Sequence, residues 1–170
     1  MTNEFEFLKC GKIRNDKGEI REYLDFPECS VGLIIDKNDN ILMVNQWRVA
    51  TQSRIWEGVG GLVEKDENPI IAMTRELREE TGITPNFIEK IEFVDRVYPQ
   101  TGTSNAICNL FIIQLKENYI HKEQKLDKGE DVIYKWFTKE EVRKMYYSRD
   151  CIVPMKTKFL LNYIDIEGGE

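Results

Sequence analysis

A single histidine, His121, stands among the 170 residues, so catalytic arrangements built on histidine are excluded from the outset. His121 lies in the polar run Glu117 to Lys128 and reads as a solvated loop residue. Four cysteines, Cys10, Cys29, Cys108 and Cys151, are far apart, form no Cys-x-x-Cys pair and have no adjacent histidine. Neither a zinc site nor a disulfide framework is written in that spacing, and reduced thiols in a cytoplasmic protein are expected. No apolar run approaches the roughly 20 residues that cross a bilayer, and the start Met1-Thr2-Asn3-Glu4 has neither the basic nor the apolar part of a secretory leader. Positive charge is also short. Lys and Arg number 24 against 30 Asp and Glu, a net charge of −6, which is the wrong sign for a surface that coats nucleic acid. A local basic patch at Arg48 and Arg54 still suits a small anionic ligand. No membrane and no nucleic acid are therefore expected as partners, and a free nucleotide derivative is.

What the chain has in place of these is a crowd of carboxylates on one helix. Asn68 suits an N-cap, Pro69 the first helical position and Gly82 the residue just past the end, so the spacing predicts a helix over Pro69–Thr81. At about 100° per residue, Ile70, Met73, Thr74, Leu77 and Thr81 share one sector, and Glu76, Glu79 and Glu80 share the next. Glu76 and Glu80 form an i,i+4 like-charge pair that costs a bare helix about 0.2–0.5 kcal/mol. A divalent cation reverses that sign, and a shallow oxygen-only stripe suits a hard cation that keeps some of its waters. Arg75, four before Glu79, is placed to hold it. Taken alone, the stripe also fits a solvated Glu-rich face.

The wider pattern narrows the choice. Gly61, five residues, Glu67, seven residues, then Arg75-Glu76-Leu77-x-Glu79-Glu80-x-Gly82-Ile83 fixes nine positions, a chance match of below about one in a million at average residue usage. The segment resembles the signature of the Nudix hydrolases with no position missing. The resemblance implies an α/β/α sandwich around a mixed sheet, with Mg²⁺- or Mn²⁺-dependent hydrolysis of a nucleoside diphosphate linked to another group. It also implies Glu76, Glu79 and Glu80 as metal ligands, Glu67 as an accessory carboxylate and the Gly60 carbonyl as a further ligand.

At 170 residues with 41% hydrophobic content, one good core is the simplest outcome. Strands are expected over Phe5 to Ile13 and Ile20 to Asp25, joined by a turn at Asn15–Gly18 into an antiparallel hairpin, with residues 1–28 set apart from a main domain over 29–166. Ser30 to Ile35 and Ile41 to Gln46 read as buried central strands, and Leu62 and Val63 open the entry to the helix. Phe87 to Val97, Ala106 to Leu115 and Val132 to Phe137 read as further strands, the first two flanking a turn-rich loop at residues 98–105 of the kind that shapes substrate pockets. Thr138 with Glu141 forms a capping box for a helix to about Tyr147. Pro154 to Asp165 reads as a terminal helix whose Met155, Phe159, Leu160 and Tyr163 are core residues, followed by a frayed tail from Ile166.

Outside the nine positions the chain is similar to the ADP-ribose pyrophosphatase branch of the same family. Asn45-Gln46-Trp47-Arg48 resembles its Gln-aromatic-Arg segment, and Trp56 to Gly61 resembles its Trp-Glu-x-Pro-Ala-Gly approach, with Val59-Gly60 in place of Pro-Ala. Pro99, sixteen past Ile83, resembles its substrate-loop proline. Asn105 stands where some members carry Glu. Gly129-Glu130-Asp131 resembles a late acidic loop, which makes Glu130 the candidate general base, with Glu79 as the alternative and Arg75 as its holder. Arg48 fits either a fork for phosphate or a surface ion pair, and Phe5, Tyr23 and Trp47 either stack on a purine or pack in a core or interface. The resemblance further implies a homodimer in which the N-terminal hairpin crosses to the second subunit. Within the family, dinucleoside polyphosphates, nucleoside triphosphates and a non-catalytic nucleotide-sensing role remain alternatives.

Overall fold

The computed structural model describes residues 9–127 and 129–166. The first two strands, β1 (Lys9–Arg14) and β2 (Ile20–Asp25), pair antiparallel. Their turn forms because Asn15 Oδ1 accepts the backbone N–H groups of Lys17 and Glu19 while Gly18 takes a left-handed φ of 79°. Gly11 lies opposite Tyr23, whose ring covers it so closely that a Cβ there would overlap the ring. The hairpin is a sheet of its own, and Ile13 and Ile20 are exposed on it.

The main sheet has seven strands among the described residues: β3 (Cys29–Ile35), β4 (Ile41–Arg48), β5 (Ser53–Glu57), β6 (Val59–Leu62), β7 (Ile88–Val97), β8 (Cys108–Leu115) and β9 (Val132–Phe137). Five run in the order β5-β4-β3-β8-β7, with β6 added to β3 and β9 to β4. β3 and β8 are parallel and the other pairings antiparallel, so the sheet is mixed. β3 and β8 are buried on both faces, which is why both read as near-continuous apolar runs.

Side-chain alternation along these strands divides the core in two. Ile34, Leu42, Val44, Phe111 and Ile113 pack on one face with Met73 and Leu77 of α1 (Pro69–Thr81). Val31, Leu33, Met43, Leu110 and Ile112 pack on the other with Val142 of α2 (Lys139–Tyr147) and Leu160 and Leu161 of α3 (Met155–Tyr163). The result is the expected α/β/α sandwich. At about 1.5–3 kcal/mol per buried large apolar side chain, these two layers supply the main drive to fold. Gly32, on the α1 face, lets the helix close on the sheet, since a Cβ there would sit 2.9 Å from the Met73 sulfur.

Several expectations need correction. β5 was not anticipated, although Ile55 and Glu57 point inward with period two. On α3, Met155, Phe159 and Tyr163 are exposed, because the helix meets the sheet through Thr157, Leu160 and Leu161. Ile166 is buried rather than frayed. On α1, Ile70 is exposed and Ala72 takes its place in the core.

Candidate active site

α1 is held at both ends by the expected residues. Asn68 Oδ1 accepts Ile70 N–H at 2.9 Å, and Gly82 closes the helix with φ 73°. The last four carbonyls of a helix have no partner within it; here all four find one. Arg78 O accepts Gly82 N–H and Glu79 O accepts Lys125 N–H, each at 2.9 Å. Glu80 O accepts Gln124 Nε2, and Thr81 O bonds to His121 Nδ1 at 2.7 Å. Trp136 Nε1 donates to His121 Nε2 at 3.2 Å, so Nε2 must accept and the ring proton sits on Nδ1, donating to Thr81. His121 also stacks on Tyr134 at 4.5 Å. The expectation of a solvated His121 is thus corrected: its loop is the cap of α1, which the polar composition of the run 117–128 concealed.

Arg75 organises the carboxylates. Its Nε and Nη2 reach the two oxygens of Glu67 at 3.1 and 3.0 Å, and Nη1 reaches Glu76 at 2.7 Å and Glu79 at 3.0 Å. Nη2 also donates to Leu62 O at 2.8 Å, tying helix to β6. Glu67 is held below the usual carboxylate range by the Arg75 guanidinium. Burial pushes Glu76 up, against the pull of Arg75. Glu80, 4% exposed, accepts Gly60 N–H at 3.0 Å, yet burial and then the neighbouring Glu76, Glu57 and Glu130 push it well above the ordinary range.

Glu76 and Glu80 open onto a cavity of about 860 Å³, bounded also by Gly60, Gly61, Arg75, Arg48, Pro99 and Glu130. Pro99 lies in the turn-rich loop, which the hairpin latches: Leu24 N–H donates to Thr103 O at 2.8 Å, Asn105 Nδ2 to Asp25 Oδ1 at 2.6 Å, and Phe26 N–H to Asn105 Oδ1 at 2.9 Å. Phe26 and Pro27, just past the hairpin, form part of the wall. Glu130 is steadied by its Oε2, which accepts Asp127 N–H at 3.0 Å.

Other expected residues are placed differently. Arg48 lines the cavity and is also ion-paired, its Nε 2.7 Å from Glu57 Oε1. Arg54 pairs with Asp131 at 2.7 Å, so the expected basic patch is two neutralised pairs. Glu67 and Glu79 pair with Arg75 and do not line the cavity. Trp47 is 56% exposed and Tyr23 packs on Gly11, neither one on the cavity. Phe5 lies outside the described residues. Sequence reasoning missed Glu57, Lys156 and the Gln124 cap. Glu57 alone left a signal, an inward position in an alternating strand.

The wall is acidic. Glu57, Glu64, Glu76, Glu80, Asp127 and Glu130, six carboxylates, face three cations, Arg48, Arg75 and Lys156. Among the described residues no three Asp, Glu, His or Cys side chains are placed together as a metal site. The oxygens form an open wall.

The mixed-sheet α/β/α sandwich thus carries a capped carboxylate helix beside an acidic cavity. A family model, the NUDIX domain, matches residues 27–155, and the chain belongs to the Nudix family. It is 28% identical over 156 residues to an ADP-ribose pyrophosphatase of Bacillus subtilis (strain 168), covering 92% of this chain and 82% of that one. It is 27% identical to a methanol dehydrogenase activator of Bacillus methanolicus over 159 residues, with the same coverage of both chains. Over 72 residues, 42% of this chain and 56% of the relative, it is 33% identical to an 8-oxo-dGTP diphosphatase of Escherichia coli (strain K12). Among the described residues no helix is long and apolar enough to cross a membrane.

Proposed function

We propose that the cavity hydrolyses the pyrophosphate of a nucleoside diphosphate derivative, with ADP-ribose or a nucleotide sugar as the substrate. The observation that carries this reading is the excess of six carboxylates over three cations on the wall. A diphosphate cannot enter such a wall on Coulombic grounds unless cations come with it. Oxygen-only donors in an open arrangement fit Mg²⁺ or Mn²⁺, which retain water and take phosphate oxygens as well. Glu76 and Glu80 would hold the metal, with the Gly60 carbonyl beside them and Glu79 and Glu67 supporting through Arg75. The metal, when bound, neutralises the pyrophosphate and acidifies a water.

This chain's own residues do the rest. Glu130, whose Oε2 accepts Asp127 N–H, accepts the proton of the attacking water, with Glu79 as the alternative base. Arg75 fixes the carboxylates against their mutual repulsion, and Arg48, oriented by Glu57, offers its remaining N–H groups to a phosphate or carboxylate oxygen. Pro99 and Phe26 shape the far wall. The similarity to an ADP-ribose pyrophosphatase over 92% of the chain supports the substrate choice.

The hairpin leaves Ile13 and Ile20 uncovered, which favours a two-fold dimer in which it packs on a second copy and brings Phe5 or Tyr23 to the partner's site. The decisive experiment on function is a panel of ADP-ribose, nucleotide sugars, dinucleoside polyphosphates and nucleoside triphosphates with Mg²⁺ or Mn²⁺, scored by product. Release of a nucleoside monophosphate from ADP-ribose or a nucleotide sugar is expected. Turnover confined to triphosphates would reject the substrate, and binding without turnover would reject catalysis.

A further inference from the structure

Cys29 and Cys108 are register partners on the parallel strands β3 and β8. Side chains of such partners leave the sheet on the same face, and both pack in the cluster that contains Val31 and Leu110. Adjacent strands lie about 4.8 Å apart, inside the roughly 4.4–6.8 Å between Cα atoms that a disulfide requires. The two thiols differ in access. Cys29 lines the 860 Å³ cavity, with Lys156 on the same wall, whereas Cys108 is fully buried behind it. Both are free thiols.

We propose that Cys29 and Cys108 form an oxidisable dithiol in the cavity wall, with Cys29 the thiol that attacks a small hydroperoxide and Cys108 the thiol that resolves the product to a disulfide. The hydrogen bond from Cys108 and the charge of Lys156 lower the Cys29 thiol against its burial, while the same bond and burial push Cys108 up. Thiolate therefore forms on the accessible sulfur.

The Cys29 thiolate attacks one peroxide oxygen, the O–O bond breaks, and the alkoxide leaves and takes the proton that Cys29 released. Cys29 is then a sulfenic acid. The Cys108 sulfur attacks the Cys29 sulfur, the S–O bond breaks, and hydroxide leaves as water with the Cys108 proton. Two thiols and one hydroperoxide become one disulfide, one alcohol and one water. The two sulfurs are oxidised and the peroxide is reduced. None of this depends on the hydrolytic reading of the cavity.

The test uses the reduced full-length chain, treated with hydrogen peroxide, alkylated and mapped by mass spectrometry. The expected result is a loss of about 2 Da, a single Cys29–Cys108 linked peptide that dithiothreitol reverses, and alkylated Cys10 and Cys151. Cys108→Ser should stop at a Cys29 sulfenic acid trapped by dimedone. Cys29→Ser should leave Cys108 a thiol. Cys29 recovered as alkylated thiol while Cys10 is oxidised, or a linkage through Cys10 or Cys151, would overturn the proposal. If Cys108→Ser fails to fold, the wild-type map decides alone.

Discussion

Gly61 and the Glu76 carboxylate share one small volume: a Cβ on Gly61 would overlap Oε1 and the carboxyl carbon of Glu76. The neighbouring Gly60 meets something different, the backbone carbonyl of Ser30 on β3. A side-chain end can swing aside, whereas a strand backbone cannot without breaking its pairing. Gly61→Ala is therefore expected to keep a near wild-type melting temperature and lose activity about 10²-fold through displacement of Glu76. Gly60→Ala is expected to lower the melting temperature outright. Thermal unfolding and initial rates on both variants check this, and the same loss pattern for the two would refute the distinction.

Glu76→Gln and Glu80→Gln are expected to abolish most turnover while the fold persists, since each takes charge from the wall that we assign to metal. Mg²⁺ should raise the melting temperature of wild type more than that of Glu80→Gln. Equal shifts would remove Glu80 from the ligand set.

Without metal, Glu80 gives a pH signature of definite sign. Its folded value lies well above the ordinary 4.5 because it is buried beside other carboxylates. Between those two values the folded chain holds more protons than the unfolded one, so this group's contribution to stability falls as pH rises. It is fully present below about pH 4.5 and lost as pH climbs through the raised folded value. Subtracting the Tm profile of Glu80→Gln from that of wild type in EDTA isolates it. The difference should turn more negative with increasing pH, and a flat or rising difference contradicts the burial argument.

Glu130→Gln should keep the bond to Asp127 N–H through its amide oxygen and lose only the basic oxygen. A fall in kcat of roughly 10²–10⁴-fold with little change in KM is expected. Unchanged kcat would transfer the role to Glu79.

Much of this was legible in the sequence for local reasons. Asn68, Pro69 and Gly82 punctuate α1 with residues whose side chain or backbone freedom suits only those places, and the structure ends the helix at the same two residues. Thr138 and Glu141 likewise form both bonds of their capping box. What escaped depends on contacts distant in the chain. His121 reads as loop because its partners, Thr81 and Trp136, lie 40 and 15 residues away. Arg48 has two readings in the sequence because Glu57, the partner that pairs with it, lies on the neighbouring strand β5. Nothing in the α3 pattern told which of its apolar residues would meet the sheet.

For the hairpin, a dimer is expected to sediment at twice the 20.0 kDa chain mass at micromolar concentration. Deleting residues 1–25 should weaken association and substrate binding together, and Asn105→Ala, which cuts the latch to Asp25 and Phe26, should weaken binding with the dimer intact. A clean monomer from the full chain would end the proposal.

The lacing of residues 121–125 onto the end of α1 sets a ruler. Because Gln124 and Lys125 are fastened to the carbonyls of Glu80 and Glu79, Glu130 is reached by a tether of only a few residues from an anchor on the very helix that carries Glu76 and Glu80. The position of Glu130 relative to Glu76 and Glu80 is thereby tied to the length of that short segment, so that inserting one glycine beside Gly129 is expected to lower activity while leaving the melting temperature near wild type.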